Sequence, residues 1–420
     1  MANGFLDYSK IHRCPICGGP DYCTFRPQPN GSVMYICMRH HGYRKGDVFV
    51  SNIDQQEYEC KGENESGNLY FYLKADADAW REAHGYKKGK GKRTQTRKAA
   101  PVQKQYVEEP KIKPLSNEKL HYIYYTMLSL LKLEDADRKY LHGEGFTDEM
   151  IDKYMIRSLP KPDNYRFRNR DSYHSINPSR RDIAQAVAKI FGGDLTGAPG
   201  FYQFIYQIIE ENGNLRRWDI SGPGGILFPL FDPYGNMYRL RVRVQEEDLK
   251  GGKYGKYRNF SSYRDELVGG VLKNKYLNGC AANNNCGFYS NEGDDFRVVF
   301  ITEGEKKSII ANEYFKKPFI SLPGVNSHSK LLDVVNADEN TQGMRFIDFL
   351  KEKGTKLVIV AFDADKTVND SVLRQEEQTF RRLKAEGFTI GCAEWDMAYG
   401  KGIDDLLKNG HEPVYRFVEV

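Results

Sequence analysis

Lys356 to Thr367 reads K-L-V-I-V-A-F-D-A-D-K-T. Leu357 to Ala361 is a short apolar run with β-branched residues inside it, the pattern of a strand covered on both faces of a parallel sheet. The run stops at two acids, Asp363 and Asp365. Carboxylates are costly to bury unless paired or metal-bound, so they belong at the strand's open end. Alternation along an extended chain points both acids the same way. In open α/β sheets that carboxyl end is where ligands bind. Two close like charges also favour a divalent cation between them. A solvated turn after a core strand fits the same letters.

Arg297 to Glu303, R-V-V-F-I-T-E, is a second apolar run ending in an acid, with Gly304 allowing a tight turn before a helix that carries Ile309, Ile310, Tyr314 and Phe315. Pro318 to Val325, P-F-I-S-L-P-G-V, follows as a short strand and turn. This order predicts parallel βαβ units with carboxylates at two strand ends. Glu303-Gly304 and Asp363-Ala364-Asp365 resemble the two signature motifs of the TOPRIM fold, found in bacterial-type primases, topoisomerases, nucleases and recombination proteins. Gly400 to Leu407, G-K-G-I-D-D-L-L, resembles the G-K-D-P-D-E-type segment of primases. That likeness offers Asp404, with Asp405 as the alternative, as a further metal carboxylate. Primases often carry another acid four residues after the glutamate, and here Lys307 stands in that place, with Glu305 as the nearby acid.

At 420 residues the chain has room for two or three domains. Its net charge of +5, from 62 basic and 57 acidic residues, is too mild to indicate nucleic acid by itself. The 28 Tyr and 23 Phe supply core material and stacking partners for bases. No apolar run approaches the roughly 20 residues of a membrane-spanning helix. The opening M-A-N-G-F-L-D-Y-S-K lacks the apolar core of a signal peptide. A cytoplasmic location, in a bacterium or a phage-infected host, is therefore expected, with no membrane partner. The eight cysteines are then expected as thiols or metal ligands.

Cys14 and Cys17 form a C-x2-C pair, and nineteen residues separate them from Cys37 and His40, a C-x2-H pair. Two close pairs of such ligands suit tetrahedral Zn2+. The segment between reads as two strands around a Pro/Asn/Gly turn, completing a zinc ribbon. His41 competes with His40, and Cys23 is expected to be a spare thiol. Leu69 to Leu73 offers the ribbon a further strand, and Cys60 receives no role. The stretch resembles the zinc-binding domain of bacterial and phage primases, whose G-D-V-[IF] tail matches Gly46 to Phe49, with the ligand types at Cys17 and His40 exchanged. That resemblance implies a template-reading module acting through Arg26, Tyr35, Arg39, Tyr43, Arg44 and Lys45, cations for phosphate and rings for bases. Ordinary solvated surface is the other reading of these residues.

Lys87 to Lys113 holds ten Lys/Arg against two Glu and almost no apolar residues, so it reads as a flexible basic linker. Ser116 to Leu133 has helical periodicity, and Thr147 and Ser179 stand where N-caps belong. The element around Tyr140 to Tyr154 resembles the helix pair opening the primase core. Ile226 to Phe231 and Asn236 to Val244 read as a hairpin joined through D-P-Y-G. Arg239, Arg241 and Arg243 share one face of its second strand, either as solvated surface or as a phosphate track. The hairpin and the following K-Y-R-N resemble the primase segment F-P-[IL]-x-D-x-x-G followed by an arginine and P-K-Y-x-N-S. The match implies that Arg243, Lys256, Tyr257 and Asn259 handle template or nucleotide phosphates. Cys280 and Cys286 lack a second ligand pair and are expected to be unbound.

The expected architecture is multidomain, α+β and α/β: a zinc ribbon in 1–86, a basic linker in 87–113, a mixed α+β primase core in 114–291, and a TOPRIM parallel-sheet domain in 292–420. The resemblance implies a DNA-dependent RNA primase making short oligoribonucleotides from ribonucleoside triphosphates on a single-stranded DNA template. Glu303, Asp363, Asp365 and Asp404 would bind Mg2+ or Mn2+, with Lys256 and Arg243 steadying phosphates. No G-x-x-x-x-G-K-[ST] occurs, so a separate replicative helicase is the expected partner. The alternatives are a TOPRIM nuclease or nicking protein, and a non-catalytic DNA-binding accessory with a degenerate TOPRIM domain.

Overall fold

The computed structural model describes residues 6–7, 14–17, 23–37, 43–51, 53–63, 69–84, 107–162, 175–206, 215–250, 255–268, 271–335, 343–367 and 370–419. They fall into two units, Met1–Val107 and Glu108–Val420. Among them no helix is long and apolar enough to cross a membrane.

The first unit is a six-stranded antiparallel sheet. Its strands run in the order Leu6–Asp7, Thr24–Pro27, Val33–Cys37, Leu69–Leu73, Glu57–Glu63, Val48–Val50. Leu69–Leu73 does join the ribbon, pairing Tyr35 with Phe71 and Cys37 with Leu69. Leu69 and Phe71 are buried while Tyr70 and Tyr72 take the other face, as alternation requires. The core gathers Phe49, Tyr58, Cys60 and Phe71 beside three buried cysteines. A helix, Lys74–Ala83, follows the last strand of this pairing.

The second unit opens with the helices Asn117–Leu130, Asp135–Gly143 and Asp148–Lys153. The Thr147 hydroxyl accepts from Met150 N at 3.3 Å, and that of Ser179 from Asp182 N at 3.1 Å, so both expected caps form. The expected linker ends sooner than 113, because Glu109 N donates to Leu272 O and Ile112 O accepts from Cys280 Sγ. The rest of that linker lies mainly outside the described residues. The hairpin is Gly225–Phe231 against Met237–Val244, flanked by Arg157–Leu159 and Tyr257–Asn259 in one antiparallel sheet.

The C-terminal sheet runs Gly287–Tyr289, Phe319–Leu322, Val298–Glu303, Leu357–Val360, Thr389–Glu394, Val414–Phe417. The four inner strands are parallel, but Gly287–Tyr289 and Val414–Phe417 pair antiparallel at the edges. The sheet is thus mixed rather than the all-parallel one expected. Leu357–Val360 sits between two parallel neighbours, consistent with its apolar run. One face packs Phe288, Ile301, Val358 and Leu383. The other packs Phe300, Ile309 and Ile359 in one cluster with Leu141, Phe146, Ile226 and Phe228, so residues on both sides of position 292 share a core.

Gly200 marks a tight join within the second unit. Its φ is +93°, and a methyl group there would lie 2.0 Å from the buried Phe260 ring. Gly200→Ala should therefore destabilise the unit by about 2–4 kcal/mol through overpacking and backbone strain. Gly193, at φ +88°, has nothing within 4 Å of such a methyl group. Gly193→Ala should cost only the backbone strain, about 1–2 kcal/mol. Thermal melting followed by circular dichroism should rank the two; equal melting temperatures would remove the steric account.

Candidate functional site

The first unit brings together Cys14, Cys17, Cys23 and Cys37, whose sulfurs all lie within 4.8 Å of one another. Cys17 and Cys23 are 3.6 Å apart, and Cys23 and Cys37 3.9 Å. Tetrahedral zinc with Zn–S bonds of about 2.3 Å places its sulfurs about 3.8 Å apart, so the spacing fits the ion. Without a cation, Cys17 and Cys23 push the Cys14 thiol strongly up, and Cys14, Cys17 and Cys23 do the same to Cys37. Zn2+ would reverse that by binding the thiolates. Cys23 is therefore not a spare thiol: it enters Thr24–Pro27, whose pairing with Val33–Cys37 carries it to Cys37. His40, His41 and Arg39 lie outside the described residues. The implied template-reading rings are turned inward, Tyr43 stacking on Phe49 at 4.7 Å and Tyr35 edge-on to Tyr58 at 5.1 Å. Arg26, Arg44 and Lys45 are exposed.

In the second unit, Ala361 N bonds Ile301 O at 2.8 Å, extending the parallel register towards the acids. Glu303 closes its own strand. The other strand stops at Val360, and Ala364–Thr367 is a 3-10 turn, so strand alternation does not govern Asp363 and Asp365. Each acid meets a different lysine instead. Lys307 ion-pairs with Asp363. Lys401 contacts Asp365 at 2.7 Å. Burial raises the proton affinity of Glu303; Lys307 and Lys401 oppose this, while Asp363 and Asp365 add to it. These five groups therefore share one electrostatic site. Lys401 O also accepts from Ala364 N at 2.9 Å, holding the G-K-G loop against the two acids.

The donors are hard carboxylate oxygens, the kind Mg2+ and Mn2+ take. Asp365 Oδ1 is buried with no hydrogen-bond partner, which is an open acceptor for a cation. Three carboxylates face two ammoniums, leaving one uncompensated negative charge. Among the described residues these acids do not bring one oxygen each within 4.8 Å, so an ion would draw them together. The residues fit a divalent cation on that condition. Asp404 is 2% exposed, with Lys306 Nζ at 2.7 Å and its Oδ1 unpartnered. Lys306 also ion-pairs with Glu144. Asp405 accepts from Gly402 N at 3.3 Å.

The hairpin arginines are neither solvated surface nor an open track, being 9%, 7% and 7% exposed at Arg239, Arg241 and Arg243. Arg241 lies opposite Asn259, and Arg243 opposite Tyr257, so all five residues share one face. That face is covered. Arg239 donates to Asn285 Oδ1 at 3.2 Å. Arg241 meets buried Glu305 at 2.9 Å, close enough for an ion pair although Glu305 Oε1 has no aligned hydrogen bond. Arg243 lies 3.7 Å over the Tyr140 ring and bonds Glu246 at 2.7 Å. Asn259 donates to Asn284 at 2.8 Å, and Lys256 is exposed. Period-two arginines look the same in a sequence whichever surface covers them. Lys306, Lys401 and Glu144 had only their charge as a signal.

Residues 293–413 match a family model described as Domain of unknown function (DUF3854). No curated protein matches the chain. Among solved structures, the zinc-binding and RNA polymerase domains of the Aquifex aeolicus primase are similar, with 12% identity over 70% of this chain and 59% of that one, at a TM-score of 0.41. The E. coli primase catalytic core is similar with 16% identity over 69% of this chain and 75% of that one, at 0.40. A DNA primase domain from Pseudomonas aeruginosa is similar with 13% identity over 69% and 74%, at 0.40. The chain spans less than two thirds of the Aquifex chain.

Two outcomes follow from this geometry. Cys23→Ser should strip zinc from the purified protein as completely as Cys14→Ser, read by elemental mass spectrometry; a full zinc complement in Cys23→Ser would exclude it as a ligand. Arg241→Ala should destabilise the second unit by about 3–5 kcal/mol, because it strands the buried Glu305 charge. Arg241→Met with Glu305→Gln should recover most of that in urea unfolding. A stable single variant would mean that the pair is not buried in solution.

Proposed function

We propose that the chain is a DNA-dependent RNA primase of the bacterial or phage TOPRIM type, a nucleotidyltransferase making short oligoribonucleotides on single-stranded DNA. The observation that supports this most is the placement of Glu303, Asp363 and Asp365 at the carboxyl ends of two adjacent parallel strands, in one shared field. A bound Mg2+ or Mn2+ supplies charge neutralisation at the reacting phosphate and lowers the pKa of a coordinated hydroxyl. The cluster of Glu303, Asp363 and Asp365 is where it would be held, with Asp363 already paired to Lys307, and Asp404, gripped by Lys306, braces the helix that follows the G-K-G loop. Lys401, exposed on Asp365, is free to turn to an incoming triphosphate. Lys256 is exposed just before the strand Tyr257–Asn259, which pairs with the strand of Arg241, and is assigned to nucleotide phosphates. The buried arginines position Glu305 and Tyr140 rather than reach a template.

Template contact is assigned to the first unit. A groove of about 800 Å³ there is lined by Lys45, Lys61, Arg81, Tyr70, Tyr72 and Trp80, and also by Asp76 and by Glu59, which pairs with Lys61 and Arg81. Trp80 is 48% exposed, and the ring pair Tyr70 and Tyr72 lies on the face opposite the core. Rings interleaved with cations suit single-stranded nucleic acid, whose bases stack and whose phosphates need charge. The zinc cluster would fix the sheet that carries them. A replicative helicase remains the proposed protein partner.

The test uses single-stranded DNA, four ribonucleotides with one labelled, and Mg2+ or Mn2+. The wild type should yield short labelled oligomers. Asp363→Asn with Asp365→Asn should reduce synthesis by several orders of magnitude while leaving the fold intact. Cut DNA without labelled product would indicate a nuclease, and DNA binding with neither would indicate an accessory protein. Undiminished synthesis by the double variant would refute the site. Trp80→Ala should weaken single-stranded DNA binding by about 1–3 kcal/mol, measured by fluorescence anisotropy; unchanged affinity would remove the groove from this account.

A further inference from the structure

The two lysines at the acid cluster are held differently. Lys401 contacts Asp365 with 60% of its side chain exposed, so it can turn away into solvent. Lys307 contacts Asp363 with 19% exposed. Its stem runs beneath Gly402, where a methyl group would lie 2.9 Å from Lys307 Cε and 3.4 Å from Cδ. The helix carrying Lys307, Glu305–Phe315, is pinned at the two residues before that lysine. Arg241 meets Glu305 at 2.9 Å, and Lys306 meets Asp404 at 2.7 Å. Lys307 is therefore the more enclosed of the two lysines, packed under the G-K-G loop where Lys401 is open to solvent.

An ammonium has the sign of a divalent cation and half its charge. Placed on Asp363, it fills the space an ion on that carboxylate would need, and it repels a second cation brought close. Lys401 imposes no such limit, because it can leave. Resting on the nucleotidyl-transfer reading above, we infer that Lys307 is a built-in cation standing in for one of the two metal ions of a two-metal site. The cluster then takes a single divalent ion, on Glu303 and Asp365, once Lys401 has turned away. Lys307 is a positioning residue in this scheme: it fixes Asp363 and offsets its charge without meeting the substrate. The buried, unpartnered Asp365 Oδ1 is an acceptor still open to that ion.

The test counts ions rather than turnover. Zinc-loaded full-length protein, without nucleotide, is titrated with Mn2+ while free Mn2+ is read by electron paramagnetic resonance. The wild type should bind one Mn2+ at the cluster, and Lys307→Met, which keeps the stem and removes the charge, should bind two. Lys307→Arg should remain at one. Lys401→Met should also remain at one, bound about tenfold or more tightly, since it removes a competing cation. Two ions in the wild type would overturn the inference and leave the metal-dependent reading standing. A folded Lys307→Met protein that still binds one, or a Lys401→Met protein with unchanged affinity, would also overturn it. No Mn2+ bound by wild type or variants would remove the metal-dependent reading itself, and this inference with it.

Discussion

The parallel pairing of Val298–Glu303 with Leu357–Val360 is the constraint on which the rest of the second unit depends. Both strands are almost wholly buried between two packed cores, so a slip in register would mispack both faces at once. The register therefore fixes the level at which each strand runs out of apolar residues. Glu303 and Asp363 meet at that level because Ile301 and Val360 are locked below them. Burial of two hydrophobic strands thus holds carboxylates near one another against their repulsion, and lysines from the following helix and the G-K-G loop answer that repulsion.

The hairpin sheet is tied to this end of the molecule by charge as well as by packing. Arg241 reaches Glu305 one residue past the glycine turn, Arg243 stacks on Tyr140, and Lys306 bridges Glu144 and Asp404. Buried ion pairs add little net stability compared with apolar substitutes, but breaking one leaves an uncompensated charge. Their effect here is positional. They set the orientation of the helix that carries Lys307, and through it the state of Asp363. The hydrophobic cluster joining Phe146 and Phe228 to Phe300 and Ile309 makes the same connection without charge.

Much of this was legible in the sequence, for reasons that differ by residue. Leu357 to Ala361 and Val298 to Glu303 are readable because a doubly covered strand must be continuously apolar. Thr147 and Ser179 are readable because a cap needs only a local hydroxyl. Cys23 was misread because ligand pairing was taken from spacing along the chain, while antiparallel strands bring it to Cys37 through space. The arginine row was misread because period two states that residues share a face and is silent on what covers it. The edges of the C-terminal sheet were missed because a short antiparallel strand such as Gly287–Tyr289 has no long-range signature of direction. The pairing of Lys307 with Asp363 needed the fold itself, since 56 residues separate them.

The central claim is that the carboxyl ends of these two strands are where a nucleotide's phosphates and a divalent ion meet. Anomalous diffraction from crystals grown with Mn2+ and a ribonucleoside triphosphate tests it most directly. The account predicts a manganese peak bonded to Glu303 and Asp365, the triphosphate on that ion, and Lys401 turned away from Asp365. Manganese and triphosphate bound elsewhere, with Lys401 still on Asp365, would contradict it.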